Sequence, residues 1–324
     1  MANMREVSKA SGVSLASVSR ILAGDPLFRV RTETRQKVLE AAKQLGYQYN
    51  AREHAKIRKV GCALSFTAEK YLDKYFSTIL SAIENNLHKA GCSLSTLSIA
   101  GNFEETEEML RWESLSGLVL FDDTLTTDKL ERLNSVVPCI VGVDTDYKGI
   151  DNISHDEYRT GVQAMEHLME RGHRRIAYIG GGERALHGRE FAYADLMQRS
   201  GFPILPGYMM DCSWELDRCH DMILQLCARE DRPTAIFAGS DNLAIAVLSA
   251  VQSLGLSTPD DLAVVGVNNL DFSAYTSPTL TTVSIPMEEI GAAAAELLLR
   301  RIGGFAGLPV RVLYPTTLIV RNST

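Results

Sequence analysis

NMREVSKASGVSLASVSRIL, residues 3–22, is the stretch on which the reading of this 324-residue chain turns. Met4, Val7 and Ala10 recur every third residue and predict the buried face of a first helix. Asn3 can accept a hydrogen bond from the free N–H groups at that helix's start. Gly12 suits the left-handed turn at its end, which a residue with a Cβ resists. Ser14 is then a good N-cap for a second helix, on which Val18, Ile21 and Leu22 fall at i, i+3 and i+4 and are expected to be buried. Ala16 and Arg20 fall on the opposite side and point outward. Two short helices around a glycine turn, the second with a small, polar and basic outer face, form a helix-turn-helix signature. The same spacing also suits an ordinary helical hairpin on a protein surface.

Charge separates these two readings. Residues 1–59 carry 12 Lys and Arg against 5 Asp and Glu, a net +7, whereas the whole chain is −7, which leaves −14 on residues 60–324. A basic head on an acidic body points to a polyanion as the partner of the head alone. Hydrophobic residues make up 45% and charged residues 23%, the balance of an ordinary globular protein with room for two or three domains. The sequence has no apolar run long enough to span a bilayer and no basic-then-apolar leader, so a cytoplasmic location and no membrane partner are expected. In that compartment the six cysteines, at 62, 92, 139, 212, 219 and 227, are expected to be reduced. Their spacing matches no zinc pattern, and no metal site is expected.

A third helix is predicted over 32–45, with Val38, Ala42 and Leu45 as its apolar stripe and Gly46 as its stop. The head is therefore taken as 1–46. Residues 47–59, YQYNAREHAKIRK, are polar, basic and without periodicity, and read as a hinge or linker. From Val60 the texture changes. Apolar runs at 60–66, 93–99, 117–121, 138–144, 175–181, 208–212, 235–240 and 262–268 alternate with helical patterns such as 74–90, 157–171, 187–200, 215–228 and 241–254. Continuous apolar strands between helices mean an α/β core of parallel sheet covered on both faces. Eight such strands suit one barrel or two doubly wound sheets.

Ligands of open parallel sheets bind beyond the C-terminal strand ends. Here those ends read Phe66-Thr67, Asp122-Asp123, Asp144, Gly180 to Gly182, Ser240-Asp241 and Asn268-Asn269, with Arg189 just beyond the glycines. Carboxylates, amides and one guanidinium can bond vicinal hydroxyls in two directions, as a sugar requires. The plainer reading is that these residues cap the following helices, and Asp241 suits that role alone. His155 and His187 fall near the cleft in an exposed or capping role. Enzyme readings find no support: there is no complete dinucleotide or P-loop glycine pattern, no G-x-S-x-G and no zinc-binding histidine spacing. No catalytic residue and no cofactor is assigned.

Several long motifs together resemble the lactose/galactose repressor family (LacI/GalR) of bacterial transcription regulators. These are VSLASVSRIL with VRTETRQKVLEAAKQLGY, then HLMERGHRRIAYIGG, PTAIFAGSDNLAIAVL, GLSTPDDLAVVGVNN, SPTLTTVSIPMEEIG and YPTTLIVR. DPLFRVRTET, LDKYF and REFAY look most similar to galactoside regulators of the evolved-β-galactosidase type. The resemblance implies a helix-turn-helix head, a hinge, and a periplasmic-binding-protein-like core (60–324) of two sheets. One subdomain would take 60–156 and 286–314, the other 157–285 and 315–324. It implies a homodimer that binds operator DNA and is controlled by a small sugar, a galactoside first. Leu15, Ala16 and Arg20 match its base-reading positions, and Ser14, Ser17 and Ser19 would hold phosphates or cap. Asp144, Arg189, Ser240 and Asn268 match its sugar contacts; Asp73, Tyr75 and Phe76 match the cleft edge, with Tyr193 and Met287 as apolar wall. Two features depart from the pattern. Lys56 stands where a minor-groove leucine is usual, with Ile57 the apolar residue beside it, and Ala23 stands where asparagine is common. The chain also lacks a heptad tail after Arg321, which favours a dimer over a tetramer. The reading from another class is a sugar-binding protein without a regulatory role.

Overall fold

The computed structural model describes residues 3–22, 30–47, 58–64, 73–98, 103–121, 125–181 and 188–324. The chain divides into two compact units, Met1–Arg58 and Lys59–Thr324.

The first unit is built from α1 (Met4–Ser11), α2 (Leu15–Leu22) and α3 (Thr32–Gln44). Asn3 and Glu6 form a reciprocal capping box on α1, and Gly12 ends that helix at φ +67°. Val7, Val18, Ile21, Val38, Ala41 and Ala42 form the core, with Met4, Val13, Leu22, Val30 and Tyr47 packed around it. Two expected core positions lie outside. Ala10 is exposed, because a strict three-residue repeat drifts about 60° per step around a helix of 3.6 residues per turn. Leu45 is 40% exposed because α3 stops at Gln44, and Ala41 fills the stripe instead. The linker residues 48–57, with Lys56 and Ile57, lie outside the described residues.

The second unit contains two six-stranded sheets. The first uses β1 (Arg58–Leu64), β2 (Cys92–Ser98), β3 (Gly117–Phe121), β4 (Ile140–Val143), β5 (Asp151–His155) and β11 (Arg311–Tyr314). The second uses β6 (Ile176–Gly180), β7 (Met209–Asp211), β8 (Ala235–Ala238), β9 (Ala263–Asn268), β10 (Thr281–Ser284) and β12 (Thr317–Ile319). Strand orders are β11-β5-β4-β3-β1-β2 and β12-β10-β9-β8-β6-β7, so the sheets share one strand order. Of the alternatives open in the sequence, this is two doubly wound sheets and not a barrel. β12 runs antiparallel to β10, whereas β11 is parallel to β5. β1 begins at Arg58, so the last two residues of the expected linker already belong to the sheet.

Among the described residues, the α-helices of this unit are α4 (Lys74–Lys89), α5 (Phe103–Glu113), α6 (Thr127–Val136), α7 (Glu157–Glu170), α8 (Arg189–Arg199), α9 (Leu216–Cys227), α10 (Asp241–Ser253) and α11 (Met287–Ile302). β3, β4, β6, β8 and β9 are buried at every residue, as strands covered on both faces must be. The chain passes between the sheets after His155, after Ser284 and after Tyr314. In each sheet the order reverses beside its first strand, β1 or β6, and a doubly wound sheet binds its ligand at such a switch point. All six cysteines are free, and only Cys139 is not fully buried.

Candidate functional site

The outward face of α2 carries the residues assigned to DNA. Ser14, Ala16 and Arg20 are exposed and Leu15 is 42% exposed, whereas Ser17 and Ser19 are half-buried. Ser14 Oγ accepts the Ser17 N–H at 3.3 Å and donates to Ser17 Oγ at 2.9 Å, so Ser14 caps the helix and Ser17 holds its hydroxyl. Leu15, Ala16 and Arg20 are thereby presented together on a short helix held from behind by Val18 and Ile21.

In the second unit, Asp144 follows β4 in a left-handed conformation at φ +53°. Its Oδ2 accepts the Tyr75 hydroxyl at 2.8 Å and its Oδ1 accepts the Ser154 hydroxyl at 2.7 Å. Burial pushes the Asp144 carboxyl up, against the opposing pull of His155, Ser154 and Tyr75. Burial, then the Asp144 charge, push the Tyr75 phenol well above its ordinary value. Asp73 caps α4 by accepting the Tyr75 N–H at 2.9 Å, and its other oxygen accepts the Asn242 amide at 3.2 Å. That bond joins a helix of the first sheet to one of the second.

Arg189, the first residue of α8, faces this group from the second sheet. Its Nη1 donates to the Gly239 carbonyl at 2.8 Å, and its guanidinium carbon lies 5.5 Å from the centre of the Trp214 ring. Burial opposes its charge, but Glu157, Tyr178, Tyr75 and Asp144 around it hold the pKa above the ordinary arginine value. Two glycines let α8 sit there. A Cβ on Gly161 of α7 would lie 2.6 Å from the Ala192 Cβ and 3.0 Å from the Arg189 Cα. Gly188, at φ +57°, has Glu157 against it, and a Cβ there would run into the Glu157 carboxylate.

Ser240 and Asn268 stand at the ends of β8 and β9 and are 7% and 5% exposed. Ser240 caps α10 through the Leu243 N–H at 3.2 Å. Asn268 sits at φ +110°. Asp241, expected to cap, has a different task. Its carboxylate accepts the Leu270 N–H at 2.8 Å and the Ser273 and Thr282 hydroxyls at 2.6 Å, bracing the β9–β10 connection. Burial pushes that carboxyl up to about 6.

Three other assignments change on inspection of the packing. Tyr193, expected on the cleft wall, is fully buried. Its hydroxyl donates to the carbonyl of Ile176 at 3.0 Å, at the strand end opposite the cleft, so it is a core residue. Phe76 packs edge-on against Tyr75 and Phe121, with ring centres 5.1 Å and 6.3 Å away, and so backs Tyr75. His155, expected to be exposed or capping, is 3% exposed. Its Nδ1 lies 3.4 Å from the Tyr75 hydroxyl and 3.9 Å from Asp144 Oδ1. Met287 starts α11 and is partly buried on the main core. His187 and the strand ends at 66–67, 122–123 and 182 lie outside the described residues.

The sequence reading missed Trp214, Glu157 and Tyr178. Trp214 follows Ser213, and both are left-handed, at φ +62° and +54°. Neither residue type signals such a turn, whereas asparagine, aspartate or glycine would. Among the described residues no group of three or more His, Cys, Asp or Glu side chains could hold a metal ion, and no helix is long and apolar enough to cross a membrane.

Comparison with known proteins agrees with this architecture. Residues 3–50 match the family model of bacterial regulatory proteins, lacI family, and residues 165–324 match that of the periplasmic binding protein-like domain. Catabolite control protein A of Priestia megaterium is 28% identical over 303 residues, covering 90% of each chain. The HTH-type transcriptional repressor PurR of Aliivibrio salmonicida is 27% identical, covering 93% of this chain and 92% of that one. Among solved structures, the transcriptional regulator CelR–cellobiose complex is 26% identical, covers all of both chains and superposes with a TM-score of 0.74. These relatives do not single out galactoside regulators. A lacI-type head joined to a periplasmic-binding-protein-like core places the chain in the LacI family of bacterial regulatory proteins.

Proposed function

We propose that the chain is a cytoplasmic, homodimeric transcriptional repressor whose hold on operator DNA is set by a small sugar bound between the two sheets. The observation that carries this reading is the meeting of Asp144 and Tyr75 from one sheet with Arg189 and Trp214 from the other. A carboxylate and a guanidinium grip hydroxyls from both sides, and an indole face stacks on the C–H face of a sugar ring. Ser240 and Asn268 supply further polar contacts, with Asp73 and Met287 at the rim. Among the described residues, no hydrogen bond engages the Asn268 side chain.

In the head, Arg20 reads guanine and Leu15 and Ala16 meet thymine methyls, with Ser14, Ser17 and Ser19 against phosphates. Lys56 and Ile57 contact the DNA from the hinge. The subdomain boundaries fall at the three chain crossings, 156/157, 285/286 and 314/315. Sugar binding favours one angle between the subdomains, and in a dimer that changes the spacing of the two heads. Galactosides lead the candidates on the sequence resemblance; cellobiose joins them because the CelR relative was solved with it.

A thermal-shift screen of galactosides, glucosides, cellobiose and pentoses tests the sugar reading, since a ligand of the native state raises its melting temperature. At least one sugar is expected to raise it. A flat response across the panel would refute the sugar reading. Salt-dependent binding of a DNA duplex separates a regulator from a sugar-binding protein without that role, because phosphate contacts release counterions.

A further inference from the structure

His155 carries a buried nitrogen that none of the interactions described so far uses. It is the last residue of β5, where the chain first leaves one sheet for the other. The ring is 3% exposed, and its Nε2 is buried without a hydrogen-bond partner. The other nitrogen fixes the tautomer. Tyr75 spends its hydroxyl proton on Asp144 Oδ2 at 2.8 Å, and Ser154 spends its own on Asp144 Oδ1 at 2.7 Å. Nδ1, at 3.4 Å from the Tyr75 oxygen and 3.9 Å from Asp144 Oδ1, therefore faces only lone pairs. It must carry the ring proton. Burial pushes the imidazole pKa down to about 4, so at neutral pH the ring is neutral. Nε2 is then a bare acceptor. Leaving such an acceptor buried and unpaired carries a desolvation cost, and groups of this kind persist in native structures for a reason.

We infer that His155 is a specificity-determining residue: its Nε2 accepts a hydrogen bond from one hydroxyl of the sugar once the sugar is seated between Asp144 and Arg189. The inference rests on the reading of this cleft as a sugar site. The cleft's other groups fill that role only in part. Asp144 already receives two hydroxyl protons, Asn268 offers one amide oxygen, and Arg189 can only donate. A sugar hydroxyl both donates and accepts, so one that accepts from Arg189 still needs somewhere to send its proton. His155 adds an uncommitted neutral acceptor, Nε2, on the ring whose Nδ1 lies 3.9 Å from Asp144 Oδ1, and Arg189 is near enough to act on that ring electrostatically. A ligand with hydrogen, methyl or an ether at that position would leave the acceptor unpaired and bind roughly 10-fold more weakly.

The test uses full-length protein labelled with 15N at histidine, and the sugar among D-galactose, lactose, D-glucose, cellobiose and D-ribose that raises its melting temperature most. Without sugar, long-range 1H–15N correlations should show His155, assigned by its absence from the His155→Gln spectrum, as the Nδ1–H tautomer with a bare Nε2. With sugar, the Nε2 resonance should move upfield as it accepts a hydrogen bond while staying unprotonated. Calorimetry with the monodeoxy analogues adds a second readout. One analogue should lose about 10-fold in affinity for the wild type, and His155→Phe should bind that analogue and the parent sugar equally. A bound sugar that leaves Nε2 unmoved, or a deoxy penalty that survives in His155→Phe, overturns the assignment while the sugar site stands. No rise in melting temperature with any of the five sugars refutes both together. The spectra need only the wild-type fold, so a poorly folded variant does not remove the test.

Discussion

His155 and Asp241 titrate in opposite senses, and their contributions to stability oppose each other in acid. An unfolded histidine has a pKa near 6.5, while burial holds native His155 at about 4. Between those values the unfolded chain takes up a proton that the native state refuses. The stabilisation from neutral His155 is therefore complete above about pH 6.5 and lost as pH falls toward 4, at most about 3 kcal/mol. Asp241 is reversed: native at about 6, unfolded near 3.9. Its protonated form stabilises the fold below the unfolded value, and that contribution is lost as pH rises through 6, again about 3 kcal/mol at most. The two slopes oppose each other between about pH 4 and 6. Asp241→Asn removes one of them, so urea denaturation of that variant should show stability falling from pH 6.5 to 4.5 more steeply than in the wild type. Parallel pH profiles for the two proteins would contradict the assignment. In the head, Arg20→Ala should lose about 1–3 kcal/mol of operator discrimination with sugar binding intact. Competition binding against point-mutated operators measures it, and an unchanged preference would remove Arg20 from base reading.

Elements decide whether these side chains meet. α7 and α8 pack closely enough that Gly161 is the contact point, and α8 delivers Arg189. Gly161→Ala should push the two helices apart at a cost of about 1–3 kcal/mol and weaken sugar binding, seen as a lower melting temperature together with a raised Kd. A variant that destabilises without changing Kd would place the effect away from the site. In the head, Ile21→Ala should cost about 2–5 kcal/mol and abolish DNA binding, while the sugar-dependent thermal shift of the core persists. The long elements were legible in the sequence because burial leaves a period: fully apolar runs for β3, β8 and β9, and amphipathic stretches for α4, α7 and α10. β11 and β12 were not, being four and three residues long and half-exposed, too short for a period to register. Asp144, Arg189, Ser240 and Asn268 could be placed because strand ends can be counted along the chain. Trp214 could not, since it arrives through a left-handed Ser-Trp turn. Tyr193 was misplaced because one turn of α8 separates a residue facing the cleft from one facing the core.

At the scale of the whole molecule, two sheets of identical strand order are tied by three chain crossings and by the Asp73–Asn242 bond. In the proposed reading both sheets contribute contacts to the sugar, so it is held fully only when the halves approach. Binding energy thus becomes a preference for one angle between subdomains. The charge boundary at residue 59 places the positive potential on the head, where DNA is met. In the proposed switch the two sites share one coupling free energy, and thermodynamic linkage makes that coupling symmetric. The most direct measurement is calorimetric titration of the same sugar into the free protein and into its operator complex, alongside operator affinity with and without saturating sugar. Operator DNA should change sugar affinity by the same factor as sugar changes operator affinity, with a coupling of about 1–3 kcal/mol. Equal sugar affinity in the presence and absence of operator would contradict it.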